Sequence, residues 1–172
     1  MADGRVAKLT ISPGIGCTVY HNDSGKAVSA TFFSNVISTD ANSKMTVVVA
    51  GAGTLGLGMI GAARLKNPRQ LISIDLVDQR LNVAKNLGAD VVLNPMRTDV
   101  VAKVLEMTDG YGCDVYIEAT GHPSAVEQGL HMIRKAGTFV EFSVMKEPVT
   151  VDWTIIGDTK ELNIHGAHLG PH

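Results

Sequence analysis

The feature that most constrains the fold is a glycine-rich segment that directly follows a short apolar run. Residues 46–50 read Thr-Val-Val-Val-Ala, a β-branched run typical of a strand that is buried on both faces of a parallel sheet. Residues 51–56 follow with glycines spaced as G-x-G-x-x-G, and apolar residues then recur at helical spacing, at Leu55, Met59, Ile60 and Ala63. A strand, a tight turn and a helix in this order predict the first unit of a doubly wound α/β fold.

The three glycines of this segment have separate predicted roles. Gly51 permits the tight turn out of the strand, Gly53 lets a pyrophosphate approach the backbone, and Gly56 lets the helix pack closely against the sheet. The pyrophosphate would meet unpaired N–H groups at the positive end of the helix dipole, where Thr54 and Leu55 lie. The segment therefore predicts a dinucleotide cofactor.

An acidic residue at the end of the second predicted strand narrows the choice of cofactor. Asp75 lies 19 residues after Gly56, where a carboxylate accepts hydrogen bonds from the ribose hydroxyls and repels the 2′-phosphate of NADP, so NAD is favoured. Asp78 competes for this role, although its position favours a helix N-cap. Arg80 lies either beside the adenosine or in solvent as an ordinary helix arginine. The alternative to the whole interpretation is a glycine-rich turn with an exposed aspartate and no ligand.

The rest of the chain alternates between strand and helix patterns. Further strands are predicted at 71–74, 91–93, 113–119, 138–142 and around 162–164. Helices are predicted from residue 54 to about 67, over 79–87 before a left-handed C-cap at Gly88, after an N-cap at Thr98, and over 123–135 up to Gly137. With residues 46–50 this predicts an α/β Rossmann fold, a doubly wound six-stranded parallel sheet of order 3-2-1-4-5-6 with helices on both faces.

Residues 1–44 have a different texture from the remainder of the chain. The runs at 6–11 and 17–20 are strand-like, and residues 13–16, Pro-Gly-Ile-Gly, separate them. Residues 40–44 are polar and are typical of a linker. We therefore predict a small β-rich N-terminal segment of unknown role over 1–44, and an NAD-binding Rossmann domain over 45–172.

The charge and the hydrophobicity of the chain argue against two classes of protein, nucleic-acid-binding proteins and membrane-spanning proteins. The 172-residue chain has a formal net charge of −2 and scattered basic residues, so it lacks the basic patch expected of a nucleic-acid-binding protein. It contains no apolar run of the roughly 20 residues that a membrane-spanning helix needs. Its first residues lack the apolar stretch of a signal peptide, and Cys17 and Cys113 are too few for a disulfide framework, so we expect a cytoplasmic location.

Several motifs, taken together, resemble one known family. They are the glycines of 51–56, Ile74-Asp75 with Arg80, the segment 84–90, the segment 114–121 (Asp-Val-Tyr-Ile-Glu-Ala-Thr-Gly), and Lys160-Glu161-Leu162 with Gly166. In this combination residues 46–170 resemble the cofactor domain of the zinc-type medium-chain alcohol and polyol dehydrogenases, above all the sorbitol, threitol and erythritol dehydrogenases. The resemblance implies an oxidoreductase that transfers hydride between NAD and a polyol or secondary alcohol. It also implies a homodimer joined through the edge of the sixth strand.

The resemblance further implies which loops contact the cofactor. The implied contacts, in chain order, are Thr120 and Gly121 for the adenosine, Phe142, Ser143 and Val144 for the nicotinamide, and the backbone of Gly166, Ala167 and His168 for its carboxamide. All of them follow strands, at the edge where ligands bind in open α/β sheets. Simple core packing is the open alternative for Phe142 and Val144.

The motifs that hold zinc in this family are not found in the sequence. The chain has neither a Gly-His-Glu segment nor a closely spaced cysteine quartet. His165, His168 and His172 lie close together in sequence, but residues three apart on a strand point to opposite faces, which disfavours joint ligation. The sequence therefore predicts no zinc ligands, although zinc is expected in the family.

Whether the chain is an enzyme stays open at this stage. Because the sequence stops at His172, shortly after the sixth predicted strand, one expectation is a cofactor domain that lacks most of its catalytic half and turns over little substrate. The alternatives are a stand-alone NAD-binding or assembly module without catalysis, and a domain that binds nothing. Saturable NAD affinity without NADH formation from polyols would favour the stand-alone module.

Overall fold

The computed structural model of the chain describes residues 9–11, 17–20, 27–30 and 44–167. The first three ranges are short strands, β1 (Leu9–Ile11), β2 (Cys17–Tyr20) and β3 (Ala27–Ala30), which pair antiparallel in the order β1-β2-β3. Two of them fall within the strand-like runs predicted for the N-terminal segment. Residues 40–43 of the predicted linker lie outside the described residues, and the division into two domains at residue 44 stays a prediction.

The main sheet has six strands, and every neighbouring pair is parallel. The strands are β4 (Thr46–Ala50), β5 (Gln70–Ile74), β6 (Val91–Leu93), β7 (Cys113–Glu118), β8 (Ile133–Glu141) and β9 (Asn163–Gly166). Their spatial order is β6-β5-β4-β7-β8-β9, which is 3-2-1-4-5-6 in chain order. The predicted doubly wound topology is confirmed, and the carboxyl ends of all six strands meet at one edge, called here the carboxyl edge.

Four helices connect these strands. They are α1 (Thr54–Leu65), α2 (Asp78–Asn86), α3 (Val100–Met107) and α4 (Pro123–Met132), with a short 3₁₀ helix at Trp153–Ile155 before β9. Within the described part of the chain, no helix combines the length and the apolar character that crossing a membrane requires.

Strand β4 lies at the centre of the core. Val47 and Val49 pack in one apolar cluster with residues of α1, whereas Val48 packs in a second cluster that includes Val104 of α3 and Leu130 of α4. Successive side chains of a strand point to opposite faces, so the two clusters place helices on both sides of the sheet. This two-sided burial explains why residues 46–50 form an unbroken apolar run.

Two details of the helix predictions are wrong. Leu55 does not join the buried stripe of α1: it is 42% exposed, whereas Met59, Ile60 and Ala63 are buried, because it lies in the first turn, at the open carboxyl edge. The N-cap of α3 is Asp99 and not Thr98, since the Asp99 carboxylate accepts a hydrogen bond from the Ala102 N–H at 3.0 Å.

The end of α4 also differs from the prediction. The helix ends at Met132 and not at Lys135, because Ile133 adopts an extended conformation and begins β8. Lys160 stabilises this early end: its Nζ donates to the carbonyl oxygens of Leu130, His131 and Ile133 at 2.7–2.8 Å. Burial lowers the pKa of Lys160. A cation from a distant part of the chain therefore satisfies the last carbonyl groups of the helix.

Candidate functional site

Those residues predicted to bind a cofactor that the structure describes lie along the carboxyl edge. Backbone hydrogen bonds between neighbouring strands continue there for one residue beyond the strand ends. They run from Ala119 N to Ala50 O at 2.8 Å, from Phe142 N to Glu118 O at 3.1 Å, and from Ala167 N to Glu141 O at 2.8 Å. These bonds hold the starts of neighbouring loops side by side. A further bond, from Gly51 N to Ile74 O at 2.7 Å, joins the turn after β4 to the end of β5. The residues that directly follow β4, β7, β8 and, as far as Ala167, β9 therefore lie side by side at this edge.

Packing within the protein accounts for two of the three glycines of the turn. Gly51 has a φ of +98°, and a Cβ at this position would lie 2.6 Å from the carbonyl oxygen of Ala119. A Cβ on Gly56 would overlap the carbonyl oxygen of Gly51. The close approach of α1 to the end of β4 therefore requires glycine at 56, and the positive φ together with the contact with the loop after β7 requires glycine at 51.

Gly53 differs, because no contact with the described part of the chain requires glycine at this position. Its φ is −71°, and a Cβ there would meet no atom within 4 Å. Gly53 is the N-cap of α1, and among the described residues no side chain caps this end and no acidic residue lies in its first turn. Thr54 and Leu55, the first two residues of α1, are both exposed. Their backbone N–H groups lie in the first turn, where no intrahelical acceptor exists, so this N-terminus is available to an anion.

Asp75 lies directly against this turn. Its Oδ2 accepts a hydrogen bond from the Ala52 N–H at 2.7 Å, its Oδ1 accepts one from the Val77 N–H at 2.8 Å, and its side chain is only 8% exposed. Arg80 is half-exposed, with Nη1 3.9 Å from Asp75 Oδ2. The structure therefore brings together the glycine turn and the aspartate that the sequence predicts for the ribose.

Asp78 is not the N-cap that its position suggested. Val77 occupies the N-cap, and Asp78 is the first residue within α2. The Asp78 carboxylate accepts a hydrogen bond from Asn94 Nδ2 at 2.9 Å and forms an ion pair with Arg97. Its charge also lies favourably at the N-terminus of a helix.

Glu118, which the sequence analysis assigned no role, connects two loops of the carboxyl edge. It is the last residue of β7 and is completely buried. Its Oε1 accepts from the Thr120 N–H at 2.7 Å and from the Thr120 hydroxyl at 2.5 Å, while the Ser143 hydroxyl donates to Oε2. A carboxylate directly after the apolar residues 115–117 was the available signal, because a buried carboxylate requires hydrogen-bond donors.

The remaining predicted contacts follow β8 and β9. Phe142 is 7% exposed and packs in the core, so the core-packing alternative holds for it, whereas Val144 is 71% exposed. Gly166 is exposed at the end of β9, and Ala167 is half-buried beside it. His168 lies outside the described residues.

The described residues do not form a zinc site. Within 44–167, no group of three His, Cys, Asp or Glu side chains is placed to hold a metal ion. His165 lies on the exposed strand β9, and His172, like His168, is not among the described residues. Cys113 is a buried free thiol whose pKa is raised by burial, as expected of an inert core cysteine.

Comparison with known proteins identifies the family. A family model described as zinc-binding dehydrogenase matches residues 54–172. The chain belongs to this family. It is 51% identical over 127 residues to an erythritol/L-threitol dehydrogenase of Mycolicibacterium smegmatis, a match that covers 74% of this chain and 35% of that protein. The chain therefore spans about a third of the length of this relative.

Two further matches agree with this assignment. An L-threonine 3-dehydrogenase of Pyrococcus horikoshii is 39% identical over 121 residues, covering 70% of this chain and 35% of that one. The crystal structure of an alcohol dehydrogenase from Escherichia coli CFT073 in complex with NADH is 30% identical and superposes with a TM-score of 0.68 over 74% of this chain and 38% of that chain. The family membership makes the protein a relative of oxidoreductases and agrees with its Rossmann topology.

The close packing at Gly56 leads to a stability prediction. Gly56→Ala is expected to lower the free energy of unfolding by about 3 kcal/mol, because the added methyl group forces α1 away from the end of β4. Gly61→Ala is the matched control: it lies in the same helix, and its Cβ would meet nothing within 4 Å. It should be neutral or stabilising by up to about 1 kcal/mol. Urea unfolding measures both variants, and equal effects would contradict the packing argument.

Proposed function

We propose that this chain binds NAD at the carboxyl edge of its sheet, as the cofactor-binding part of an alcohol or polyol dehydrogenase. The observation that carries the proposal is the uncapped start of α1 next to open space at Gly53. Packing explains Gly51 and Gly56, whereas no contact among the described residues accounts for the missing side chain of Gly53, and a group bound from outside the chain would account for it. A diphosphate fits this position, because it is an anion that needs N–H donors without intervening side chains.

The environment of Asp75 supports the ribose end of the cofactor. The carboxylate is fixed by two backbone N–H groups, one of them from Ala52, the residue before Gly53. A carboxylate has about four acceptor positions, so it retains capacity for a ribose hydroxyl. A negative charge held at this point disfavours a 2′-phosphate, which is why we propose NAD and not NADP.

The nicotinamide end would lie along the loops after β8 and β9. Bound NAD supplies the hydride acceptor when an alcohol is oxidised. Ser143 and the exposed Val144 follow β8, and Gly166 and Ala167 lie at the end of β9, which supports the proposal that these residues hold the ring and its carboxamide. The NADH in the Escherichia coli relative supports this cofactor.

The substrate proposed for the dehydrogenase is a polyol or a secondary alcohol. The Mycolicibacterium smegmatis relative is named for erythritol and L-threitol, and the Pyrococcus horikoshii relative for L-threonine. All three compounds carry a secondary hydroxyl group, and the polyols are favoured by the higher identity. Since the described residues form no zinc site, we assign no catalytic step to this chain.

We also propose a cytoplasmic location, which the buried free thiol of Cys113 supports.

The first test is a charge placed at Gly53. Gly53→Asp should weaken NADH binding at least about a hundredfold, because a carboxylate would occupy the phosphate position and repel the diphosphate. The fold should be retained, since aspartate is a favoured N-cap residue and its Cβ meets no atom within 4 Å. Calorimetric titration with NADH measures the affinity. Gly157→Asp is the control, because a Cβ there is equally unobstructed. Unchanged affinity of the Gly53→Asp protein would refute the site.

A second test concerns the choice between NADH and NADPH. The wild-type protein should prefer NADH by about a hundredfold or more, and Asp75→Asn should reduce this ratio about tenfold, because removing the charge removes repulsion of the 2′-phosphate. Asp78→Asn is the matched control, since Asp78 is paired with Arg97 and should leave the ratio unchanged. If Asp78→Asn changes the ratio and Asp75→Asn does not, the two aspartates have been assigned wrongly.

The third test concerns a homodimer, which we propose forms through β9. This strand is an edge strand of the sheet, and all four of its residues are exposed. Ile164 is 45% exposed. An exposed edge strand can pair with the same strand of a second copy. Ile164→Lys should shift the sedimentation profile from dimer to monomer. Met96→Lys is the control, because Met96 is 78% exposed but follows β6 at the opposite side of the sheet. A wild-type monomer at high concentration would refute the dimer.

A further inference from the structure

The most unusual buried group of the carboxyl edge is the carboxylate of Glu118. It is 0% exposed at the end of β7, between the β7 loop (residues 119–122) and the β8 loop (residues 142–144). Taking a carboxylate out of water is costly unless donors replace the solvent. The donors that replace the solvent around Glu118 therefore determine what this carboxylate does in the structure.

The donors to Glu118 come from these two loops. The β7 loop supplies the Thr120 N–H, the Thr120 hydroxyl and the Gly121 N–H, the last at 3.2 Å from Oε1 and 3.3 Å from Oε2. The β8 loop supplies the Ser143 hydroxyl, which also lies 3.3 Å from Glu141 Oε1. One oxygen of the carboxylate thus serves mainly the β7 loop, and the other connects it to the β8 loop.

The two loops also touch each other at a point where space is limited. Gly121 has a φ of +72°, and a Cβ on it would lie 2.9 Å from the carbonyl oxygen of Val144. The separation of the loops is therefore fixed from both sides: contact at Gly121 prevents a closer approach, and the Glu118 carboxylate prevents them from moving apart. A pair of loops fixed in this way loses little conformational entropy when a ligand binds across them.

From this arrangement we infer that Glu118 is a positioning residue, which sets the separation of the β7 and β8 loops and so lets one cofactor contact both. The inference rests on the proposed function and on the contacts that the family resemblance implies, in which Thr120 and Gly121 of the β7 loop face the adenosine and the β8 loop faces the nicotinamide. Glu118 itself need not touch the cofactor, because it is completely buried. Loss of the connection should therefore impair binding of the whole dinucleotide more than binding of a ligand that lacks the nicotinamide.

Ser143→Ala removes the hydroxyl that joins the β8 loop to Glu118 and leaves the three β7-loop donors in place. The Glu118 variants separate this role from any direct contact of Ser143 with the cofactor, because Glu118 is completely buried. Glu118→Ala removes both connections. Glu118→Gln should restore most of the function, because its carbonyl oxygen can accept from Thr120 while its NH₂ group donates to the Ser143 hydroxyl. Ser124→Ala is the control, since Ser124 is exposed and its hydroxyl contacts His122.

The affinity of the full chain and of each variant is measured by titration with NADH and, separately, with ADP-ribose, which lacks the nicotinamide. The free energy of unfolding of each variant is measured in parallel with urea. Ser143→Ala should weaken NADH binding about tenfold, the effect of one hydrogen bond to a charged group, and change ADP-ribose binding less than about twofold. Glu118→Ala should weaken NADH binding more, Glu118→Gln should recover at least half of that loss on a logarithmic scale, and Ser124→Ala should match the wild type.

The outcomes separate this inference from the proposed function. If the wild-type chain binds neither ligand, the proposed function fails and the positioning role fails with it. If the wild type binds NADH and Ser143→Ala binds it equally well, only the positioning role is refuted. A Ser143→Ala protein that is less stable but retains the wild-type ratio of NADH to ADP-ribose affinity also refutes it, because that result shows a role in folding alone.

Discussion

The structure of the carboxyl edge depends on how closely α1 approaches the end of β4. Glycine at 56 allows the first turn of the helix to rest on the carbonyl group of Gly51, and Gly51 itself lies against the carbonyl group of Ala119. The same approach brings the Ala52 N–H within 2.7 Å of the Asp75 carboxylate, so that the turn is tied to the end of β5. A helix held further away would separate its N-terminus from this carboxylate, and the two features that indicate a dinucleotide would no longer lie together.

Carboxylates of β7 organise both ends of the sheet. Near the start of this strand, Asp114 accepts hydrogen bonds from the Thr46 N–H and from Arg134 Nε, each at 2.7 Å. At its other end, Glu118 joins the two loops described above. The first carboxylate joins neighbouring strands where no ligand is proposed, and the second joins loops where one is. Similar chemistry thus contributes to stability at one edge and to the geometry of a site at the other.

The sequence predicted those features that depend on local pattern. The run 46–50, the glycine turn, Asp75 and the strand 91–93 are found where the pattern placed them, because burial on both faces and backbone conformation leave direct traces in residue type. Two of the failed predictions, the N-cap of α3 and the burial of Leu55, are local errors of one residue or one helix turn, whereas the others involve distant partners. Asp78 pairs with Arg97, and α4 ends early beside Lys160; the loop connection made by Glu118 was missed for the same reason. No window of neighbouring residues contains these partners.

The contact between Lys160 and α4 has a consequence for the order in which the chain folds. All of α4 leaves the ribosome before Lys160 does, since Lys160 lies 30 residues after the carbonyl group of Leu130 that it contacts. Until then those terminal carbonyl groups are hydrated, and the end of the helix frays. Lys160 lies just before β9, so the synthesis of a few further residues both completes the helix and supplies the outermost strand of the sheet.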